Sequence, residues 1–150
     1  MPGMDPETKK KIARQFMEAI PHVRDLQMTL QEMGDGKASV TMPYLEKLIG
    51  DPDSGVIHGG AVSALMDTCC GAAVMSHPES PLGTATLDLR IDYMRPATPG
   101  QALASHADCY LVTRSIAFVR ATAFDENTER PVAVATGAFS VERPKAKAPA

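Results

Sequence analysis

The segment Val56-Ile57-His58-Gly59-Gly60 leads into a long run of small and apolar residues, and nine positions after His58 that run carries a carboxylate, Asp67. Two glycines at the start of a helix weaken it, because Gly has poor helix propensity. They also bare backbone N–H groups at the positive end of the helix dipole. Such groups suit an anion, or a carbonyl oxygen that gains negative charge in a tetrahedral transition state. Asp67 lies among Leu65, Met66, Cys69 and Cys70. A carboxylate in such a run is desolvated unless paired, and desolvation makes it a better proton acceptor. On a helix, nine residues amount to about 900° of rotation and a rise of about 13–14 Å, so His58 and Asp67 fall on opposite faces. One chain cannot bring them together. A two-fold dimer with antiparallel helices can, by setting Asp67 of one subunit against the Gly59 amide of the other. Plainer readings stand beside these: His58 as a helix cap, the glycines as a tight turn, and Asp67 as a structural carboxylate bonded to a neighbouring amide.

These residues need elements to hold them. The stretch 59–77 is apolar or small on nearly every helical face, which predicts a helix buried on all sides and enclosed by sheet. Ser63, Asp67 and Thr68 make it too polar to span a membrane. From Leu82 onward the sequence predicts four strands, about 82–95, 101–113, 115–126 and 130–142, in an antiparallel meander. Upstream, residues 24–33 and 37–42 read as a β-hairpin about Gly34-Asp35-Gly36, residues 43–49 as a short helical turn, and residues 50–55 as a loop dense in turn formers. Residues 5–20 predict an amphipathic helix that lays Ile12, Ala13, Phe16, Met17 and Ile20 on the core, with Pro6 in its first turn and Pro21 as its stop. The tail 143–150 has little to bury and is expected to fray. The expectation is one α+β domain over residues 1–150, with its core at about 24–142.

Composition narrows the function classes. With 15 Lys and Arg against 18 Asp and Glu, the net charge of −3 lacks the basic excess of a binder of nucleic acid or of membrane surfaces. Cys69 and Cys70 are adjacent and Cys109 is remote, which gives neither metal-ligand spacing nor a secreted disulfide framework. No metal is expected. The first residues contain no apolar signal-type run, so a reducing cytoplasm is the expected location.

Gly55-Val56-Ile57-His58-Gly59-Gly60 with Leu65, Asp67 and Gly71, followed by Leu87-Asp88-Leu89-Arg90-Ile91-Asp92-Tyr93-Met94-Arg95-Pro96, resembles the PaaI-type branch of the hotdog-fold acyl-CoA thioesterases, over roughly residues 24–142. The resemblance implies a long antiparallel sheet wrapped around a central helix, self-association to a dimer and then a tetramer, and active sites at the subunit seam. It implies hydrolysis of an acyl-CoA to the free acid and CoA, with Asp67 as general base or nucleophile, the Gly59 amide as oxyanion donor and His58 shaping the loop. A thioester suits such a site, because its sulfur leaves readily without a metal or cofactor; coenzyme A enters only as part of the substrate. Thr86 matches a position where similar enzymes carry a small hydroxyl or glycine, although simple alternation sets it with Thr84, Asp88 and Arg90, away from Leu87 and Leu89. Gly60, Tyr93, Met94, Thr113 and Ser115 resemble positions that line the substrate path, and Arg95 and Arg114 are the candidates for the phosphates of CoA.

One residue departs from the pattern. Similar enzymes commonly carry Asn or Gln where this chain has Asp51, and an ionised carboxylate cannot donate a hydrogen bond. Two rival functions follow. One is a hydratase or dehydratase on the same fold, using His58 and Asp67 across a dimer; the other is a non-catalytic acyl-CoA or lipid-binding protein, for which Asp51 is the best argument.

Overall fold

Pro6, at the first turn of a helix, supplies a preset φ, and the Asp5 carboxylate accepts the Thr8 N–H at 3.0 Å to cap it, so α1 runs Pro6–Ala19. The computed structural model describes residues 5–79 and 83–144; Leu82, the opening Met1 to Met4 and the tail from Lys145 lie outside them. Pro21 ends α1 and also begins a second, five-residue helix, α2 (Pro21–Asp25), where a strand was expected from residue 24. α1 packs on the next element, but only Met17 is fully buried; Ile12, Phe16 and Ile20 stay exposed, so the apolar stripe is wider than the contact.

The strands follow: β1 (Thr29–Gly34), β2 (Lys37–Met42), β3 (Ile49–Asp51), β4 (Val56–Ile57), then helix α3 (Gly59–Ser76), and β5 (Thr86–Tyr93), β6 (Leu103–Val112), β7 (Ile116–Phe124) and β8 (Ala133–Ser140). Six of them form one antiparallel sheet in the order β1-β2-β6-β7-β8-β5. The hairpin about Asp35 and Gly36, both at positive φ, joins β1 to β2. A single 3-10 turn, Glu46–Leu48, occupies the expected helical turn. The turn formers expected as plain loop are instead bracketed by a small β3–β4 hairpin.

The meander is shorter than the sequence suggested. β6, β7 and β8 are consecutive neighbours, but β5 pairs with β8 at the far edge rather than with β6. The physical reason is reach: the segment between Tyr93 and Leu103 spans three strand spacings, roughly 14 Å, which so many residues cross easily.

α3 lies across the sheet, with its main contacts on β6, β2 and β7. Val62, Leu65, Met66, Cys69, Cys70, Ala73 and Val74 are buried against Val40, Ala117, Val119, Ala123 and Phe139. The helix is not enclosed on every side. Ser63, Ala64, Asp67, Thr68, Gly71 and Met75 form a strip that the single chain only half-covers. Among the described residues no helix is long and apolar enough to cross a membrane.

Candidate active site

The start of α3 is fixed from several directions. His58 is its N-cap; its backbone N–H donates to the Leu48 carbonyl at 2.8 Å, and its Nδ1 accepts the Gly60 N–H at 2.8 Å. Gly50 makes this approach possible, because a Cβ there would stand 2.7 Å from the His58 Cα. The Ala61 N–H donates to the His58 carbonyl at 3.0 Å. Of the first three amides of α3, Gly60 and Ala61 are therefore taken, and the Gly59 N–H has no acceptor among the described residues. It points from the positive end of an 18-residue helix.

Asp67 sits two turns further on, in the half-covered strip rather than sealed in the core as the sequence implied. The Thr86 hydroxyl donates to its Oδ1 at 2.7 Å, while among the described residues nothing bonds Oδ2. Thr86 reaches the helix because a bulge between Thr86 and Asp88 resets the alternation of β5. Thr86 thus shares the helix-facing side with Leu89, Ile91 and Tyr93, whose partners on β8 are the buried-face residues Gly137, Ala135 and Ala133. Within one chain Gly59 and Asp67 remain about 12 Å apart along the helix axis.

Tyr93 closes the far end of β5 against the helix start. Its hydroxyl donates to the Gly59 carbonyl at 2.9 Å and lies 2.5 Å from the Ser63 Oγ. Met94, the next residue, is 60% exposed at the sheet edge, as is Leu87 at 59%.

Two expected site residues are committed elsewhere. The Asp51 carboxylate turns into its own loop, accepting the Asp53 N–H at 3.2 Å and the Ser54 hydroxyl; those bonds, the Ser54 hydroxyl first, hold it below the usual carboxylate range. It is exposed. Arg95 is the second correction, since all five of its N–H donors are spent. Nη1 and Nη2 form a bidentate pair with the buried Asp125 at 2.6 and 2.7 Å, and the remaining donors go to the carbonyls of Pro96 and Arg130. None is left for a phosphate. Arg114 is exposed at the β6–β7 turn. There the Thr113 hydroxyl and amide bond the Ile116 carbonyl, while Ser115 gives its carbonyl to the Val141 N–H.

Sequence reasoning missed three contributors. Ser63 showed no partner until the fold brought Tyr93 to it. Asp125 read as a turn residue, yet it is buried and binds Arg95, Thr98 and Asn127. Arg143 donates to the Arg114 and Thr113 carbonyls at 3.3 Å, which sets a second guanidinium beside Arg114. All three depend on pairings distant in sequence, so no local signal marks them. Among the described residues no three His, Cys, Asp or Glu side chains gather into a metal-ligand set.

Comparison with known proteins bears on this geometry. The sequence profile of the Thioesterase superfamily matches residues 54–132, more than half of the chain and inclusive of both the helix start and β5. A protein of Halobacterium salinarum named "Putative esterase" is 32% identical over 100 residues, which are 65% of this chain and 66% of that one; the chain thus spans just under two thirds of its length. Among solved structures, a Pseudomonas aeruginosa protein is 38% identical with a TM-score of 0.76, covering 87% of this chain and 96% of that one. A variant of the phenylacetic acid degradation protein PaaI from Thermus thermophilus is 26% identical with a TM-score of 0.71, over 81% and 98% of the two chains. On the profile match and this sheet-around-helix architecture, the chain belongs to the thioesterase superfamily and is a PaaI-type hotdog protein.

Proposed function

We propose that this protein is an acyl-CoA thioesterase of the cytoplasm, working as a two-fold dimer that assembles further into a tetramer. The observation that carries the reading is the unclaimed Gly59 N–H at the head of α3, on a helix whose half-covered strip also holds Asp67. In the dimer, Asp67 of one subunit faces Gly59 of the other. Thr86 holds one carboxylate oxygen, so the other is free to take a proton from water. The hydroxide adds to the thioester carbonyl, and the developing oxyanion is stabilised by the Gly59 amide and the helix dipole. Collapse breaks the C–S bond and expels CoA thiolate, which takes up the proton held by Asp67. If Asp67 attacks directly, its carboxylate adds to the carbonyl and the C–S bond breaks to expel CoA thiolate; water then opens the resulting anhydride, returning the Asp67 carboxylate and the free acid and leaving a proton for the thiolate.

The open edge supports the dimer. β1 is flanked by α1, but β5 has only β8 beside it and carries exposed Leu87, Tyr93 and Met94. An edge strand with no neighbour on its outer side leaves backbone groups free to pair, although the exposed Asp88, Arg90 and Asp92 make this edge a charged one. Of the two candidates for the CoA phosphates, Arg95 is spent on Asp125 and on backbone carbonyls, so the role falls to Arg114, with Arg143 beside it. The hydratase alternative is weakened because His58 spends Nδ1 as a helix cap, and the binding-protein alternative because the Asp51 carboxylate is bonded within its own loop.

A panel of short-chain, long-chain and aryl acyl-CoAs tests the reading. Wild type should release free thiol from at least one, and Asp67→Asn should lower kcat by at least about 100-fold while retaining CoA binding. Full turnover by the variant would remove Asp67 from the mechanism. CoA binding without thiol release from any substrate would favour the binding protein.

A further inference from the structure

Between Gly59 and Asp67, one helical turn from each, the half-covered strip of α3 carries a further polar residue, Ser63. Its hydroxyl lies 2.5 Å from the Tyr93 Oη and 3.2 Å from the Gly59 carbonyl, and the Tyr93 hydroxyl lies 2.9 Å from that same carbonyl. Three oxygens here share two protons. Two arrangements use both: Tyr93 donates to the Gly59 carbonyl and Ser63 to Tyr93, or Ser63 donates to that carbonyl and Tyr93 to Ser63; each ties the carbonyl to both side chains. The Tyr93 ring also lies directly beside position 59, where a Cβ would touch Cε1 at 3.4 Å and Cζ at 3.5 Å, ordinary contact distances.

Behind Tyr93 the chain is braced. The Met94 and Arg95 amides both donate to the Val132 carbonyl, at 2.8 and 3.3 Å. The Arg95 guanidinium is locked to Asp125, which also accepts the Thr98 amide and hydroxyl at 3.1 and 2.9 Å. Tyr93 is thus the tip of a strut rooted in the sheet, and its tip touches the first turn of α3. Both hydroxyls sit on side chains that the single chain leaves partly open, where water could replace either bond; packing alone does not call for the pair. What the pair does hold is the Gly59 carbonyl, in the peptide unit next to the one that carries the free Gly59 N–H.

We propose that Ser63 and Tyr93 are positioning residues that aim the Gly59 amide, with the Arg95–Asp125 pair as their anchor. This rests on the thioesterase reading. An oxyanion donor works through preorganisation, and a small misplacement of the first turn lowers the rate without changing ground-state affinity.

Tyr93→Phe keeps the ring and removes only the hydroxyl; Ser63→Ala removes the second proton, and Ser63→Thr restores it. Each is compared with Asp67→Asn by steady-state kinetics on a hydrolysed acyl-CoA, by thermal melting, and by hydrogen exchange of the amides of residues 59–61. Tyr93→Phe should lower kcat by about tenfold or more with KM within about twofold and a melting shift of no more than about 2 °C, and exchange of the first-turn amides should speed up at least about threefold. Ser63→Ala should follow in part and Ser63→Thr should recover. If Asp67→Asn is inactive while Tyr93→Phe keeps its kcat and its exchange, the positioning role is wrong and the thioesterase reading stands. A rise in KM alone also overturns it, since Tyr93 would then be a substrate contact. If no acyl-CoA is hydrolysed by wild type, the thioesterase reading falls instead, and unchanged exchange in Tyr93→Phe overturns the positioning role independently.

Discussion

Cys69, Cys70 and Cys109 all lie in the core, and their chemistry is decided by desolvation of the thiolate. Burial pushes the Cys69 thiol up to about 11 and raises Cys70 and Cys109 as well. Cys69 donates to the Ser105 carbonyl at 3.2 Å, as a satisfied core residue does. None of the three should react with a thiol reagent in the native protein. Titration should find no accessible thiol before denaturation and three after it; a fast-reacting thiol in native protein would contradict the packing around α3. Asp67 differs from these groups, because it lies in the half-covered strip with one oxygen held by Thr86 and the other open. At this scale the sequence was most informative where the chemistry is local. His58, Gly59 and Gly60 stand adjacent, so a helix start with a spare amide could be read directly. Ser63 could not, because its partner Tyr93 is thirty residues away.

The Arg95–Asp125 pair anchors the exit of β5 to the end of β7, and breaking it leaves a buried charge or buried orphaned donors. Asp125→Ala should destabilise the fold by about 3–5 kcal/mol, measured by chemical denaturation. The paired guanidinium holds the Asp125 carboxyl well below its ordinary range, with the Thr98 and Asn127 amides adding to it. Its contribution is therefore complete above the unfolded carboxylate pKa of about 3.9 and is lost progressively as pH falls toward the lower folded value. Melting temperature should drop in wild type below about pH 4, and Asp125→Asn should drop less steeply there. An equal slope in both would contradict the assignment. The fate of β5 shows why elements were only partly legible. Its alternation identified a strand, but nothing local said whether it would pair with β6 or cross to β8, and the bulge at Thr86 and Asp88 reversed the facing that strict alternation implied. α3 was legible as a helix from its composition. Its open strip was not, because small residues such as Gly71 and Ala64 read alike whether they face a sheet or a second subunit.

At the scale of the molecule, the single chain is a sheet with one flanked edge and one open edge, and a helix with one face half-covered. Both unfinished surfaces lie on the side that holds Gly59, Asp67, Thr86 and Tyr93. The proposed dimer would cover both at once, and it would also supply the convergence that about 12 Å of helix denies to one chain. In the proposed dimer each site takes Asp67 from one subunit and the Gly59 amide from the other. Subunit complementation tests that arrangement most directly. Asp67→Asn and Gly59→Val, whose added side chain would run into the Tyr93 ring, should each be inactive alone. In a mixed dimer one site carries both changes and the other carries neither. Co-refolding equal amounts should therefore restore about a quarter of wild-type activity, since half of the dimers are mixed and half of their sites are intact. No recovery from a mixture shown to contain mixed dimers would contradict the shared site.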